Sequence, residues 1–390
     1  MLKCIFSAFT VTAILVAWPA AARDYEAVRC EAAKPYTGPA LAPAPQRDAL
    51  PSSAPFHGSF DPATTERLEA ALATSLAATR AVSMTVAVSR PGGATWSGVR
   101  TADGSPPPKR FWWASAGKML TAATVLRLLD EGRLSLQDPI ARYLSGVPNG
   151  EAITLEHLLA HTSGLFSANE DRRIRAGRKL LTLGDELAVL RRHGAMFCPG
   201  ERWRYSNSGY TLLGAVIEKV DGRPFAEAAT AGVLLPLRPG SLRVLSAGDD
   251  ATDVGPLASS DSDAVLVQPG QAGPAAPLVG LAEDMNRLLQ ATLSPGLLAE
   301  KTRDLRLAKL HQMFEAGSFY SLGIMVLRPP GTDLYWIGHS GGSPGANAIS
   351  IWSPADGAFV SVALTGDGSA AAIANLLLAA LRGGAVSPRR

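Results

Sequence analysis

Apolar and polar residues alternate with a period of two near both ends of this chain and hardly at all between them. Ser83-Met84-Thr85-Val86-Ala87-Val88 alternates, Pro91-Gly92-Gly93 turns, and Ala94 to Val99 returns, which predicts a hairpin. Far downstream, Ser321 to Leu327, Leu334 to Ile337, Ala346 to Trp352 and Ala358 to Thr365 read as successive strands. Pro354-Ala355-Asp356-Gly357 makes the turn between the last two. The middle carries helical patterns instead. The simplest assembly is an α+β fold: one antiparallel sheet built from both ends, flanked by helices, with a helical subdomain inserted between.

The helical signals are specific. Asp61-Pro62 is an N-cap followed by a proline in the first turn, and the helix it opens is expected to run to about Thr79. A helical period runs through Leu120, Val125, Leu126, Leu128 and Leu129 and stops at Glu131-Gly132. Thr154 can cap a short helix through Leu155, Leu158 and Leu159 that stops at Gly164. Asn207 to Val220 is closed by Asp221-Gly222, and further helices are expected at Ala282 to Leu293 and at about Ala370 to Leu381. Arg172, Arg173, Arg175, Arg178, Arg191 and Arg192 read as a solvated helical face. Between 238 and 277 glycine, proline, serine and aspartate dominate, which predicts a long loop with a short strand at most, of the kind that serves as a lid or binding element.

The N-terminal residues read as an export signal. Lys3 is the positive end, Cys4 to Trp18 is mostly apolar, and Ala20-Ala21-Ala22 offers an A-x-A cleavage site. The apolar run is short for a spanning helix, which needs about 20 residues. An uncleaved anchor is the alternative. The expectation is therefore a signal peptide at 1–22, a periplasmic or secreted mature protein, and no stable membrane span once the signal is cleaved. Cys30 and Cys198 remain, and in an oxidising compartment they could bridge or stay apart. Residues 23–58 hold Pro35, Pro39, Pro43, Pro45, Pro51 and Pro55, so a poorly ordered lead-in is expected there. The folded domain is expected at 59–385, its sheet part about 59–135 and 278–385 and its helical part about 136–277. A net charge of +3 over 390 residues gives no basic excess for nucleic acid.

Three short motifs carry chemistry. Ser115 stands three residues before Lys118, a spacing that puts hydroxyl and amine on one helical face. Upstream Phe111, Trp112 and Trp113 could shelter the pair, and burial lowers a lysine pKa toward that of a general base. Tyr205-Ser206-Asn207, on a turn entering a helix, offers a phenol to relay a proton and an amide to bind both an amine and a substrate. Gly338-His339-Ser340-Gly341-Gly342 follows a strand and also fits the nucleophile elbow of α/β-hydrolases. That rival needs a helix after Ser340, and then both an acid and a histidine downstream of it. A strand follows instead, and His339 is the last histidine. His157 and His161 have the i, i+4 spacing of a zinc pair but lack the intervening glutamate of a zinc protease, so packing in a buried turn is expected.

Together these motifs resemble the serine β-lactamase and penicillin-binding-protein superfamily, on its class C and D,D-peptidase side. Ile153 to Leu165 and Pro199-Gly200-Glu201 are similar to further stretches of it. The resemblance implies a β-lactamase/transpeptidase-like fold and a covalent acyl-enzyme on Ser115, with Lys118 and Tyr205 sharing the proton traffic. It implies substrate binding by Asn207, His339, Ser340 and Gly341, and an oxyanion hole from the backbone N–H groups of Ser115 and Gly342. No metal and no cofactor is implied. The expected partner is a small-molecule or peptide substrate, an amide or ester that could be a cell-wall peptide or a β-lactam. D,D-carboxypeptidase-like hydrolysis is the leading reading, because histidine begins the third motif. Esterase or β-lactamase use of the same site is the alternative, and an inactive ligand-binding relative is the alternative of another class. The chain departs from the family at Pro236-Leu237-Arg238-Pro239, where Pro-Leu-Gly-Met is usual, and near Ala276-Pro277, where a paired glycine is usual.

Overall fold

Strand β1 (Arg80–Ser89) pairs antiparallel with β11 (Ala358–Asp367), so the two ends of the chain meet in one sheet. The structure, a computed structural model, describes residues 25–177, 182–261, 266–328 and 334–383. The export signal expected at 1–22 lies outside these residues, as does Arg178. Helix α1 (Pro62–Ala78) begins where the sequence signals it, with the Asp61 carboxylate accepting from the Thr64 N–H. After β1 and β2 (Thr95–Thr101) come β3 (Phe111–Trp112), a 3-10 turn at Ala114–Gly117, and α2 (Lys118–Asp130). The middle of the chain supplies α3 (Leu155–Leu159), α4 (Arg172–Gly177), α5 (Leu183–His193), α6 (Asn207–Asp221) and α7 (Phe225–Ala229). A π turn, Thr230–Leu234, joins α7 to α8 (Leu235–Leu237).

Beyond them β4 (Arg243–Val244) and β5 (Leu278–Gly280) pair beside β3 as a small three-stranded sheet. Helices α9 (Ala282–Leu293) and α10 (Glu300–Ala308) lead into β6 (His311–Gln312), β7 (Ser318–Tyr320) and β8 (Met325–Leu327). The chain closes with β9 (Trp336–Ser343), β10 (Ala346–Ser353), β11 and α11 (Ala370–Leu381). The large sheet has eight strands in the order β2-β1-β11-β10-β9-β8-β7-β6.

Both faces of this sheet are covered. On one, Leu68 and Leu72 of α1 and Leu377 and Leu378 of α11 pack on Met84, Val86 and Val360, all fully buried. On the other, α2 and α9 bury Leu120, Met285 and Leu289 against Phe359 and Ala363. Each large apolar side chain removed from water in this way stabilises by about 2 kcal/mol. The second face also carries serine and threonine, because α9 docks through polar bonds. Asn286, fully buried, donates to Ser89 Oγ at 3.0 Å and accepts from Ser361 Oγ at 2.6 Å. The alternation along β1 thus separates an apolar face from one that is apolar and hydrogen-bonded.

The structure corrects several expectations. The lead-in is irregular but held along the body: Val28 bridges Ala195, Ala42 N–H donates to Leu310 O at 3.0 Å, and Trp352 Nε1 donates to Ala49 O at 2.8 Å. A disulfide joins Cys30 to Cys198. Its prolines suit a segment that donates backbone bonds only at intervals. The strand expected at Ser321 to Leu327 is broken, because Ser321–Ile324 turns and Gly323, at φ +69°, lies where a Cβ would come 2.1 Å from Ala122 Cβ. The strand expected at Leu334 to Ile337 instead runs from Trp336 through the whole third motif to Ser343. Helices α7, α8 and α10 were not read from the sequence. At Arg238 the chain still makes a left-handed helix end, φ +47°, with arginine where glycine costs less.

Candidate active site

Ser115 sits within the 3-10 turn Ala114–Gly117, which runs directly into α2. Its neighbours from Phe111 to Leu120 are all buried, and Ser115 alone among them is partly exposed. Ala114, the residue before it, is held at φ +45°, a region L-residues rarely adopt and one that recurs at functional sites. Gly117 allows the turn to lie close on Pro277 and Leu278, since a Cβ there would stand 2.8 Å from Pro277 Cδ.

Lys118 is fully buried and has three polar neighbours. Its Nζ is 2.7 Å from Asn207 Oδ1, 2.7 Å from the Ala275 carbonyl and 3.2 Å from Ser115 Oγ. The first two atoms can only accept. A neutral amine donates its two N–H bonds to them and keeps one lone pair, which then faces the Ser115 hydroxyl. Burial favours that form, holding the Lys118 pKa well below the ordinary lysine range. Asn207 is itself fixed, donating from Nδ2 to Asn169 Oδ1 at 3.0 Å, while its backbone N–H donates to Ser167 Oγ at 2.9 Å.

Tyr205 lies beside Ser115, and its ring is 4.9 Å from Lys118 Nζ. Burial pushes the Tyr205 pKa up, against the neighbouring Ser115 hydroxyl, which works to lower it. The phenol therefore stays protonated and can donate. His161, at φ +59°, packs its ring 4.1 Å from that of Tyr205. Its Nδ1 accepts from the Ser206 N–H at 3.2 Å, so Nε2 carries the proton. Burial, with Lys118 and His339 nearby, keeps this imidazole neutral. The sequence placed His161 in a buried turn and missed its contact with Tyr205. Its near twin His157 turns away and closes a capping box with Thr154 at the start of α3.

Strand β9 forms the opposite wall. A Cβ on Gly341 would stand 2.3 Å from Trp113 O and 2.9 Å from Ser115 N, so only glycine lets the strand approach the nucleophile's turn. Gly342 follows directly, which brings the two segments expected to supply oxyanion donors side by side. Strand β8 pairs with β9 only as far as Gly338, leaving the edge from His339 to Ser343 without a strand neighbour on that side. Ser340 lies in mid-strand opposite Ile349, which disposes of the nucleophile-elbow reading. Strand alternation turns it away from Gly341, and its Oγ meets Met325 Sδ at 3.6 Å.

His339 shares the face of β9 that Gly341 turns toward the nucleophile, but it is withdrawn from solvent. It is fully buried, with Nε2 3.0 Å from the Tyr320 hydroxyl, and burial together with Lys118 pushes its pKa down to about 3. A neutral, buried ring cannot act as the exposed cation a lysine would supply. The sequence reading also missed Trp203, Tyr210, Tyr320 and Phe314, whose rings gather around His161 and Tyr205. They come from α6, the turn before it and the β6–β7 region, and no local spacing marks them.

A turn-borne serine between a buried lysine and a tyrosine, beside the edge of an antiparallel sheet, is the site of a serine hydrolase with the β-lactamase/transpeptidase fold. Solved structures share that fold. A D-stereospecific amidohydrolase from Streptomyces sp. is 27% identical, covering 83% of this chain and 99% of that one, with a TM-score of 0.69. The octameric penicillin-binding protein homologue from Pyrococcus abyssi is 23% identical, covering 82% of this chain and 77% of that one, with a TM-score of 0.70. A penicillin-binding protein of Bacillus subtilis (strain 168) is 36% identical over 142 residues, which is 34% of this chain and 30% of that protein. This chain thus spans less than a third of the length of that curated relative. The family model described as Beta-lactamase matches residues 68–383. The chain belongs to the beta-lactamase family.

Proposed function

We propose that this protein is an exported serine hydrolase that cleaves an amide bond on the acyl side of a D-configured residue, in the manner of a D,D-carboxypeptidase, through an acyl-enzyme on Ser115. The observation that carries the reading is Ser115 Oγ lying 3.2 Å from Lys118 Nζ, with the Tyr205 ring 4.9 Å from the same amine. Likeness to the D-stereospecific amidohydrolase and to penicillin-binding proteins supports the amide and the D-configuration. The Cys30–Cys198 disulfide supports export, since such bonds persist in oxidising compartments.

In this mechanism Ser115 gives its proton to Lys118 as Oγ attacks the carbonyl carbon. The oxyanion that forms is met by the N–H groups of Ser115 and Gly342, donors commonly worth about 3 kcal/mol each. The C–N bond breaks as Tyr205 passes its proton to the leaving amine, and Lys118 restores the phenol. Water then attacks the ester, giving up its proton toward Lys118 and Tyr205, and Ser115 leaves as the hydroxyl.

The test is intact mass after incubation with benzylpenicillin or a peptide ending in D-Ala-D-Ala, with Ser115→Ala beside the wild type. Loss of the terminal D-alanine by the wild type alone is expected, with a penicillin adduct confined to Ser115. Hydrolysed penicillin with an intact peptide would replace this reading by a β-lactamase. Turnover of esters alone would make the protein an esterase, and turnover by Ser115→Ala would remove Ser115 from the mechanism.

A further inference from the structure

Strand β9 is paired on one side only where it passes the nucleophile. Strand β10 pairs with it from Ile337 to Ser343, but β8 reaches no further than Gly338. In an antiparallel ladder successive residues turn their N–H and C=O groups to alternate edges. The Ser340 carbonyl therefore shares an edge with the Gly342 N–H. In the acyl-enzyme mechanism that N–H meets the oxyanion, which an N–H bonded to β10 could not do, so the shared edge is the open one. The peptide between Gly341 and Gly342 also has glycine on both sides, the residue that restrains its backbone least. Strand pairing alone leaves this oxyanion donor loosely aimed.

The ring of His339 supplies a restraint. Its Nδ1 lies 2.5 Å from the Ser340 carbonyl oxygen, and its Nε2 lies 3.0 Å from the Tyr320 hydroxyl. A carbonyl can only accept, so Nδ1 carries a proton. Burial and Lys118 keep the ring neutral, so that proton is the only one, and Nε2 accepts from Tyr320. The Tyr320 proton has a second claimant in the Tyr210 hydroxyl, 3.2 Å away. Giving it to Tyr210 would oblige Nε2 to donate and would turn an Nδ1 lone pair onto the Ser340 oxygen. Tyr210 meanwhile donates to Leu159 O at 3.0 Å. His339, Tyr320 and Tyr210 are all fully buried, so water does not compete for these bonds.

We propose that His339 is a positioning residue for the oxyanion hole. Its Nδ1–H takes the Ser340 carbonyl in place of the missing strand neighbour, and Tyr320 holds the ring in that tautomer. The peptide that leads into Gly341 and Gly342 is thereby fixed, and the Gly342 N–H stays aimed at the carbonyl under attack. The proposal rests on the acyl-enzyme reading above. It gives the histidine of the third motif a neutral task inside the wall, where contact with substrate was expected.

The test compares acetyl-D-alanine ethyl ester with its thionoester, in which sulfur replaces the carbonyl oxygen and is a poor acceptor for the same N–H donors. Removing one oxyanion donor costs about 10²–10³-fold in kcat, so misaiming one should cost His339→Leu about tenfold on the oxygen ester. The thionoester should change by about twofold at most, because it gains little from those donors. His339→Asn, whose Nδ2 is bonded to Cγ as Nδ1 is, should recover most of the loss. Nitrogen-15 shifts of the wild-type imidazole should show the neutral Nδ1–H tautomer, a measurement that needs no variant to fold. Equal losses on both esters would make His339 merely structural and overturn the proposal. So would an asparagine variant no better than the leucine one, recovery by His339→Lys alone, or an Nε2–H tautomer. A wild type inert toward both esters would instead strike the hydrolase reading, and the proposal with it.

Discussion

Lys118 Nζ lies 2.7 Å from Asn207 Oδ1, across 89 residues of sequence. An amide oxygen there steadies the amine without adding charge, so burial alone sets the direction of its pKa shift. The base must be neutral to take the Ser115 proton, and the rate therefore rises with pH as Lys118 loses its own. Because burial lowers that pKa, the rise begins below the ordinary lysine range. Asn207→Asp places a carboxylate beside the amine and favours the ammonium. The acid limb of the kcat/KM profile for an uncharged substrate should move up by about 1–2 pH units. An unmoved limb would mean that a group other than Lys118 is the base.

Tyr205 carries the opposite assignment. Burial raises its pKa, so it enters the reaction as an acid with its proton in place. Tyr205→Phe should keep the ring packed 4.1 Å from His161 and lose only the donor. For a peptide amide, kcat should fall by about 10²-fold or more. For a nitrophenyl ester, whose leaving group departs without a proton, the acylation loss should be much smaller. Equal losses on both substrates would assign Tyr205 to positioning Ser115 instead.

The parts of this protein legible in the sequence are those governed by local periodicity. The hairpin of β1 and β2, the caps at Asp61 and Thr154, and the bounds of α9 and α11 all rest on spacing that solvent and backbone enforce residue by residue. The juxtaposition of Ser115 and Lys118 was legible for the same reason. What the sequence hid depends on distant partners. Helix α10 carries few apolar residues, and its Arg306 is buried because the carbonyls of Thr292, Leu322 and Gly323 receive it. The burial of His339 could not be read from its motif either, since it follows from Tyr320 arriving on another strand. The lead-in looked loose because prolines break periodicity. Its order comes from single backbone bonds to the body, which leave no pattern in composition.

Asp171 supplies a prediction about acid stability. Burial works to raise its pKa, but hydrogen bonds from Arg192, His193 and the backbone N–H groups of Arg173 and Ile174 win and hold it well below the usual carboxylate range. The folded pKa is thus depressed relative to the unfolded one. The stability this contributes is present in full above the ordinary aspartate range and is lost as pH falls through the folded value. Asp171→Asn should lower stability at pH 7 by about 1–2 kcal/mol, because Arg192 and His193 lose a charged acceptor while the half-exposed Arg192 can turn to water. It should also flatten the acid side of the Tm-against-pH curve. A variant whose Tm falls in parallel with the wild type on acidification would show that Asp171 does not govern the acid transition.

The Cys30–Cys198 bond fastens the lead-in to the loop that delivers Tyr205. Two backbone bonds continue the attachment: Lys34 N–H donates to Pro199 O and Thr37 N–H to Glu201 O, each at 2.8 Å. Gly200, at φ +83°, lies between them where a Cβ would stand 2.6 Å from Lys34 O, so strap and loop are in direct backbone contact. A cross-link spanning 168 residues of sequence restricts the unfolded chain strongly, and Cys30→Ala with Cys198→Ala should cost about 3 kcal/mol. If the strap also holds Tyr205 against Ser115, kcat falls in that double variant while KM changes little, and dithiothreitol does the same to the wild type. A double variant that loses stability but keeps full kcat would restrict the bond to a structural role, because the phenol would then reach Ser115 without it.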